Sequence, residues 1–276
     1  MGIAMKHRIA VITGASSGIG MELARLFAAD GYELILTARR ADRLQELAGE
    51  LGKTYGVTAH VIPMDISQPF AGAALWREIS AIAPEIEVLV NNAGFGDTGD
   101  FAQQQPERIE GMIHLNISTL TSLTRLALPG MIERRSGKIL NVASLAGLSP
   151  GGPGMSVYFA TKSYVLSFTR GIRRELRGTG VTVTALCPGP THTGFEEAAK
   201  AQNTRLFKWA TPMEAAAVAR AGYRGLQRGS AVVLPGWRNK LMAISMKFSP
   251  AGGVVEANRI LLAERRQKRT ANYPLQ

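Results

Sequence analysis

An apolar strand that runs straight into a glycine-rich turn and then a helix dictates most of what this chain can become. The strand candidate is Arg8–Thr13, the turn is Thr13-Gly14-Ala15-Ser16-Ser17-Gly18-Ile19-Gly20, and the helix runs over Gly18–Asp30. Three glycines let the backbone turn sharply and let a phosphate approach it closely. A helix that starts there presents unpaired N–H groups and the positive end of its dipole. With a strand before and a helix after, the pattern reads as a dinucleotide-binding turn, spaced Gly-x-x-x-Gly-x-Gly.

The rest of the chain repeats the alternation. Further strands are expected at Glu33–Ala38, Ala59–Pro63, Val88–Asn91, Gly137–Val142, Val181–Cys187 and Ala231–Leu234. Helices are expected near Arg43–Leu51, Phe70–Ile82, Pro106–Arg134, Met155–Arg177 and Pro212–Arg228. Several strands are apolar runs of the kind buried on both faces. The expected fold is therefore α/β and Rossmann-type: a doubly wound, seven-stranded parallel sheet flanked by helices on both faces. No repeat or linker divides it, so one domain is expected, with a core over about residues 6–234 and a basic extension over 236–276. The irregular, polar segment Pro190–Ala210 is long enough to serve as a substrate lid.

Length and cysteine usage narrow the setting. A chain of 276 residues buries enough surface to need no disulfides, and its single cysteine, Cys187, can form none within the chain. The N-terminus has no signal-peptide pattern and no apolar run reaches membrane-spanning length, which implies a reducing, cytoplasmic protein. A net charge of +11 favours anionic partners. From Trp237 onward eight Lys or Arg stand against two Glu. Trp237–Phe248 interleaves basic residues with Trp237, Leu241, Met242, Ile244, Met246 and Phe248. That stretch reads as a helix covering the substrate pocket or a subunit contact, or as an interfacial helix making peripheral contact with acidic lipid. The first reading is preferred. No recognition motif supports nucleic-acid binding.

Four more motifs carry the chemistry. Leu36-Thr37-Ala38-Arg39-Arg40 ends the second strand, where an NAD site usually places an acid for the ribose hydroxyls. Arg39, and next to it Arg40, would instead grip a 2′-phosphate, so NADP(H) is expected. Asn91-Asn92-Ala93-Gly94 closes the fourth strand, Ser144 follows the fifth, and Tyr158 and Lys162 stand four apart on one face of a helix. Asn116 sits mid-helix, where asparagine has poor propensity.

TGASSGIG, NNAG and the set Asn116, Ser144, Tyr158 and Lys162 together resemble the short-chain dehydrogenase/reductase family over roughly Lys6 to Leu234. The resemblance implies an oxidoreductase that interconverts a carbonyl and an alcohol. Tyr158 would be the acid and base, its phenol pKa lowered by the Lys162 ammonium. Ser144 would polarise the substrate oxygen. Asn116 would hold a water that links Lys162 to solvent. Gly14, Ser16, Ser17, Gly18 and Ile19 would line the cofactor turn, with Tyr158 and Lys162 also beside the cofactor. Asp65, with Ile66, would hold the adenine ring. Asn91 would lie beside the adenosine ribose, and Asn92 would stabilise the sheet. Pro188, Gly189, Thr191 and Thr193 would meet the nicotinamide amide and pyrophosphate. His192 is set aside, because the tyrosine fills the role of base.

Two departures from the family pattern stand out. Ser144 and Tyr158 are 14 apart through a glycine-rich loop, one residue more than in many relatives, and the tail extends past the last strand. The resemblance also places Phe95, Leu145, Leu148 and Phe195 near the pocket, which implies a hydrophobic ketone, aldehyde or secondary alcohol as substrate. A homo-dimer or tetramer built on the long helices is also implied. The competing reading is a regulator that senses NADP(H) without turnover; it would not need Tyr158 and Lys162.

Overall fold

The computed structural model describes residues 8–195, 199, 204 and 212–263. Seven parallel strands form the main sheet: β1 (Ile9–Thr13), β2 (Glu33–Ala38), β3 (Ala59–Pro63), β4 (Val88–Asn91), β5 (Gly137–Val142), β6 (Val181–Leu186) and β9 (Val232–Val233). Their order is β3-β2-β1-β4-β5-β6-β9. A second, two-stranded ribbon pairs β7 (Thr191–His192) with β8 (Met213–Glu214). The chain order reverses between β1 and β4, which opens a crevice at the strands' carboxyl ends.

Alternation along the strands divides the core into two layers. Ala10, Ile12, Leu34, Leu36, Val88, Val90 and Leu140 face one side, against α1 (Gly18–Ala29), α2 (Ala41–Tyr55) and α7 (Ala215–Gln227). Val11, Ile35, Leu89, Ile139 and Val183 face the other, against α3 (Ala71–Ile82), α5 (Leu120–Glu133) and α6 (Ser156–Glu175). Each fully buried Leu or Ile contributes roughly 1.5–3 kcal/mol, so both faces favour the doubly wound arrangement.

The expected strands appear within a residue or two of their expected limits. The helix expected over Pro106–Arg134 does not run unbroken. It divides into α4 (Pro106–Ile113), a π-helical turn over His114–Thr119, and α5. Asn116 sits in that turn. Its side chain bonds across to other elements, a use that an uninterrupted α-helical surface position would not provide.

Past β9 the tail forms two further helices, α8 (Trp237–Phe248) and α9 (Ala251–Leu262). They pack over the crevice, with Val254 and Leu262 buried. Much of the Pro190–Ala210 lid expectation, and the basic residues after Ala263, lie outside the described residues.

Candidate active site

The crevice is one continuous cavity of about 830 Å³. At one end lies the turn between β1 and α1. Gly14 and Gly18 adopt left-handed φ of 68° and 57°. A Cβ on Gly20 would fall 2.4 Å from the Gly14 carbonyl oxygen, so only glycine lets the helix start this close to the strand. No side chain caps α1, which leaves its first N–H groups facing the cavity beside Ser16 and Ser17.

Arg39 and Arg40 are exposed and line the same end. The Arg40 guanidinium bends over the turn and donates to Ser17 Oγ at 2.9 Å and Ser16 Oγ at 3.1 Å. Arg39, favoured from the sequence, lies near enough to Asp65 that the carboxylate feels its charge. Asp65 and Ile66 line the cavity next. Burial pushes the Asp65 carboxyl up, but hydrogen bonds from Ser67 outweigh it and hold the group below its ordinary value.

The NNAG turn corrects one expectation. Asn91, expected beside the adenosine ribose, is buried inside the sheet layer and does not line the cavity. Its amide donates to Thr124 Oγ1 at 3.0 Å and to Asn141 Oδ1 at 2.9 Å, tying β4 to α5 and β5. Asn92 takes the cavity-facing place instead, and its amide donates to the Thr13 and Gly14 carbonyls at 2.8 and 3.1 Å. Strand alternation explains the exchange: neighbouring residues at a strand end point to opposite sides.

At the other end stand Ser144, Tyr158 and Lys162. Ser144 follows β5 and caps a short 3-10 turn (Leu145–Leu148), accepting from Ala146 N at 3.1 Å. That turn packs tightly on α6, where a Cβ on Gly147 would come 2.5 Å from the Lys162 carbonyl. Tyr158 and Lys162 are buried on the cavity side of α6, one turn apart. Burial drives the Tyr158 phenol up to about 12, and its hydrogen bond with Ser144 pulls the other way. Burial drives Lys162 down to about 8. The expectation that Lys162 lowers the Tyr158 pKa is not met in this geometry. Its ammonium donates to the Val142 carbonyl at 2.9 Å and sits 5.8 Å from the tyrosine ring centroid, so desolvation dominates the phenol.

Asn116 lies behind these groups rather than on the cavity wall. Its amide donates to the Phe95 carbonyl and to Thr161 Oγ1, both at 3.0 Å, and its oxygen accepts from Phe95 N at 3.2 Å. Between it and Lys162 runs Gly94, where a Cβ would sit 2.9 Å from Asn116 Oδ1 and 3.2 Å from Lys162 Nζ. The π turn thus fixes the strand-end loop against α6.

Pro188, Gly189, Thr191 and Thr193 line the cavity, whereas His192 is exposed and does not. Phe95, Leu145 and Phe195 line it as expected. Leu148 turns away, into the cluster of Leu120, Val165 and Leu166 beneath the 3-10 turn. Met242 and Met246 line the cavity from the stretch expected as a pocket cover or subunit contact. The sequence did not single out Met155, Phe159, Asn258, Leu261 and Leu262, which also line it. Asn258 donates to Ser149 Oγ at 2.7 Å and to the Gly151 carbonyl at 2.6 Å, pinning the loop between Ser144 and Tyr158. Cys187 is buried, and burial lifts its thiol to about 12, so it acts as a small apolar residue.

A family model described as short chain dehydrogenase matches residues 8–204. Sulfoacetaldehyde reductase 2 of Chromohalobacter salexigens is 38% identical over 221 residues, 76% of this chain and 85% of that protein. The structure of a short-chain dehydrogenase from Sphingobium yanoikuyae in complex with NADPH matches with a TM-score of 0.78 at 32% identity, covering 96% of this chain and 99% of that one. The bulky-bulky ketone specific alcohol dehydrogenase from Comamonas testosteroni matches with a TM-score of 0.72 at 30% identity, covering 88% of this chain and 95% of that one.

Proposed function

Because the chain belongs to the short-chain dehydrogenase family, we propose that it is an NADP(H)-dependent oxidoreductase that interconverts a hydrophobic ketone or aldehyde and its alcohol. One observation carries this reading: Ser144, Tyr158 and Lys162 converge at one end of a cavity whose other end is an uncapped helix N-terminus flanked by two arginines. When bound, the nicotinamide supplies the hydride. The first turn of α1, with Ser16, Ser17 and Ile19, would hold the pyrophosphate, and Asp65 and Ile66 the adenine. Thr191, Thr193 and the Pro188-Gly189 backbone would flank the nicotinamide. Arg40, already over the turn, and Arg39 would bind the 2′-phosphate.

Ser144 would hydrogen-bond the substrate oxygen, and Tyr158 would donate its proton to that oxygen as negative charge develops there. A phenol held up at about 12 is fully protonated at neutral pH, which suits reduction. Lys162, charged below about pH 8, would assist the proton's departure. Asn116 is a positioning residue that fixes the Gly94 backbone beside Lys162.

The deciding experiment follows NADPH and NADH oxidation against a panel of aldehydes and ketones, small and bulky. Turnover preferring NADPH is expected. The double variant R39E/R40E should raise the KM for NADPH by about tenfold or more and leave NADH much less affected; equal effects on both would remove the 2′-phosphate argument. Tight NADPH binding with no turnover of any carbonyl would favour the sensing regulator.

The substrate end of the cavity is built from Met155, Phe159, Phe195, Met242 and Met246, flexible or flat apolar side chains that admit bulky groups. Asn258 shapes it by holding the Ser149–Gly151 loop. Asn258→Ala is expected to raise KM for bulky ketones several-fold while leaving kcat for a small aldehyde near wild type. A uniform fall in kcat for both substrates would show instead that the loop positions the reacting groups.

A further inference from the structure

Helix α8 covers the cavity with one face and leaves the other without a partner among the described residues. On the inner face Met242 and Met246 line the cavity. Asn239 is buried, donates to the Pro235 carbonyl at 2.7 Å, and packs against Gly189. The helix is therefore fixed to the body before it meets anything else. On the outer face Trp237, Leu241, Ile244 and Phe248 recur at spacings of four, three and four, which aligns them in one stripe. They are 67%, 57%, 55% and 79% exposed. Arg238, Lys240 and Lys247 flank the stripe, all exposed, and the helix contains no acidic residue. Arg238 stands 5.4 Å from the Trp237 ring centroid and Lys247 5.8 Å from that of Phe248, so an aromatic ring and a cation mark each end.

We propose that this outer face docks on an acidic lipid surface. Large apolar side chains in a stripe, with basic residues at its margins and a tryptophan at one end, match the chemistry of a bilayer interface, where rings sit at headgroup level and cations meet lipid phosphate. Charge complementarity selects the partner. A second copy of the helix would bring Arg238, Lys240 and Lys247 against their own kind with no acid to answer them. An anionic membrane gains roughly fivefold in partitioning for each such cation. No described helix is long and apolar enough to cross a membrane, so the contact is peripheral. Docking would also set the mouth of the cavity, formed in part by Met242 and Met246, beside the lipid. That consequence rests on the proposed function, whereas the docking itself does not.

The test uses the full chain in co-sedimentation with phosphatidylcholine vesicles, with and without phosphatidylglycerol. Binding to the acidic vesicles alone is expected, weakening as salt rises. L241S/I244S and K240E/K247E should each lower it by about tenfold or more. These four residues lie outside the cavity, so NADPH turnover of a water-soluble carbonyl should be unchanged in both variants and reports separately on the enzyme reading. A chain ending at Ala263 should still bind. The inference fails if acidic vesicles do not retain the protein, or if L241S/I244S binds like the wild type. It fails equally if removal of residues 264–276 abolishes binding. It also fails if sedimentation velocity shows a dimer that L241S/I244S dissociates, since a second copy would then cover the stripe.

Discussion

Tyr158→Phe is expected to lower kcat for carbonyl reduction by about a thousandfold, the middle of the range for a lost general acid. The fold should hardly register the change. The ring keeps its packing against Phe195 and Phe159, at centroid distances of 5.2 and 6.3 Å, and only the hydroxyl's bond with Ser144 is lost. Ser144 Oγ retains the Ala146 N–H as a donor. NADPH affinity should therefore stay near wild type while turnover collapses, which isothermal titration and steady-state kinetics separate. Turnover within tenfold of wild type would mean that the proton comes from elsewhere, and the role given to Tyr158 would have to be abandoned.

The same groups set the pH dependence. Below about pH 8 the phenol is protonated and Lys162 is charged, so reduction should run at its plateau. As pH rises through about 8, Lys162 loses the charge that would assist the proton's departure to the substrate oxygen, and kcat/KM for reduction should fall. Alcohol oxidation needs the phenolate, which burial opposes, and it should rise towards alkaline pH.

Most of the fold was legible in the sequence because both layers of the core rest on a period of two in the strands. Ile12, Leu36, Val90 and Leu140 face one side and Val11, Ile35, Leu89 and Ile139 the other, so each strand reads as an apolar run bounded by turn residues. The site was legible where local chemistry is unusual, at three glycines in eight residues and at a buried Tyr–Lys pair one helical turn apart. It was illegible where tertiary packing decided. Nothing local says that the helix around Asn116 takes an extra residue in one turn, and the partners its side chain meets there, Phe95 and Thr161, lie 21 and 45 residues away. Which of Asn91 and Asn92 faces the cavity depends on the phase in which β4 enters the sheet. The tail's apolar residues could belong to a core, a pocket wall or an outer surface, and the structure divides one helix between the last two.

Lys162→Met is expected to abolish useful turnover, by at least about a hundredfold, and at the same time to stabilise the protein. The side chain is nearly fully buried, and its ammonium has one carbonyl partner, Val142. Burial lowers its pKa to about 8 from an ordinary 10.5, so keeping the amine charged in the folded chain costs about 3 kcal/mol at neutral pH. Methionine fills nearly the same volume without that cost, but it leaves the Val142 carbonyl without its donor, a loss of about 1–3 kcal/mol. The balance favours the variant by about 1 kcal/mol, or a rise in Tm of roughly 2–4 °C for a chain of this size. The sign can be checked against pH. A group whose folded pKa is depressed costs the protein most below that value, and the cost fades as pH rises from about 8 towards 10.5, where the unfolded chain also releases the proton. The Tm gain of Lys162→Met should accordingly be full at pH 7 and shrink across that window. A variant that melts below the wild type at pH 7 would show that the bond to Val142 outweighs the burial of charge, and that Lys162 holds β5 and α6 together. A stabilised but inactive variant would instead mean that the protein carries a buried, desolvated amine at its centre because the chemistry there needs one.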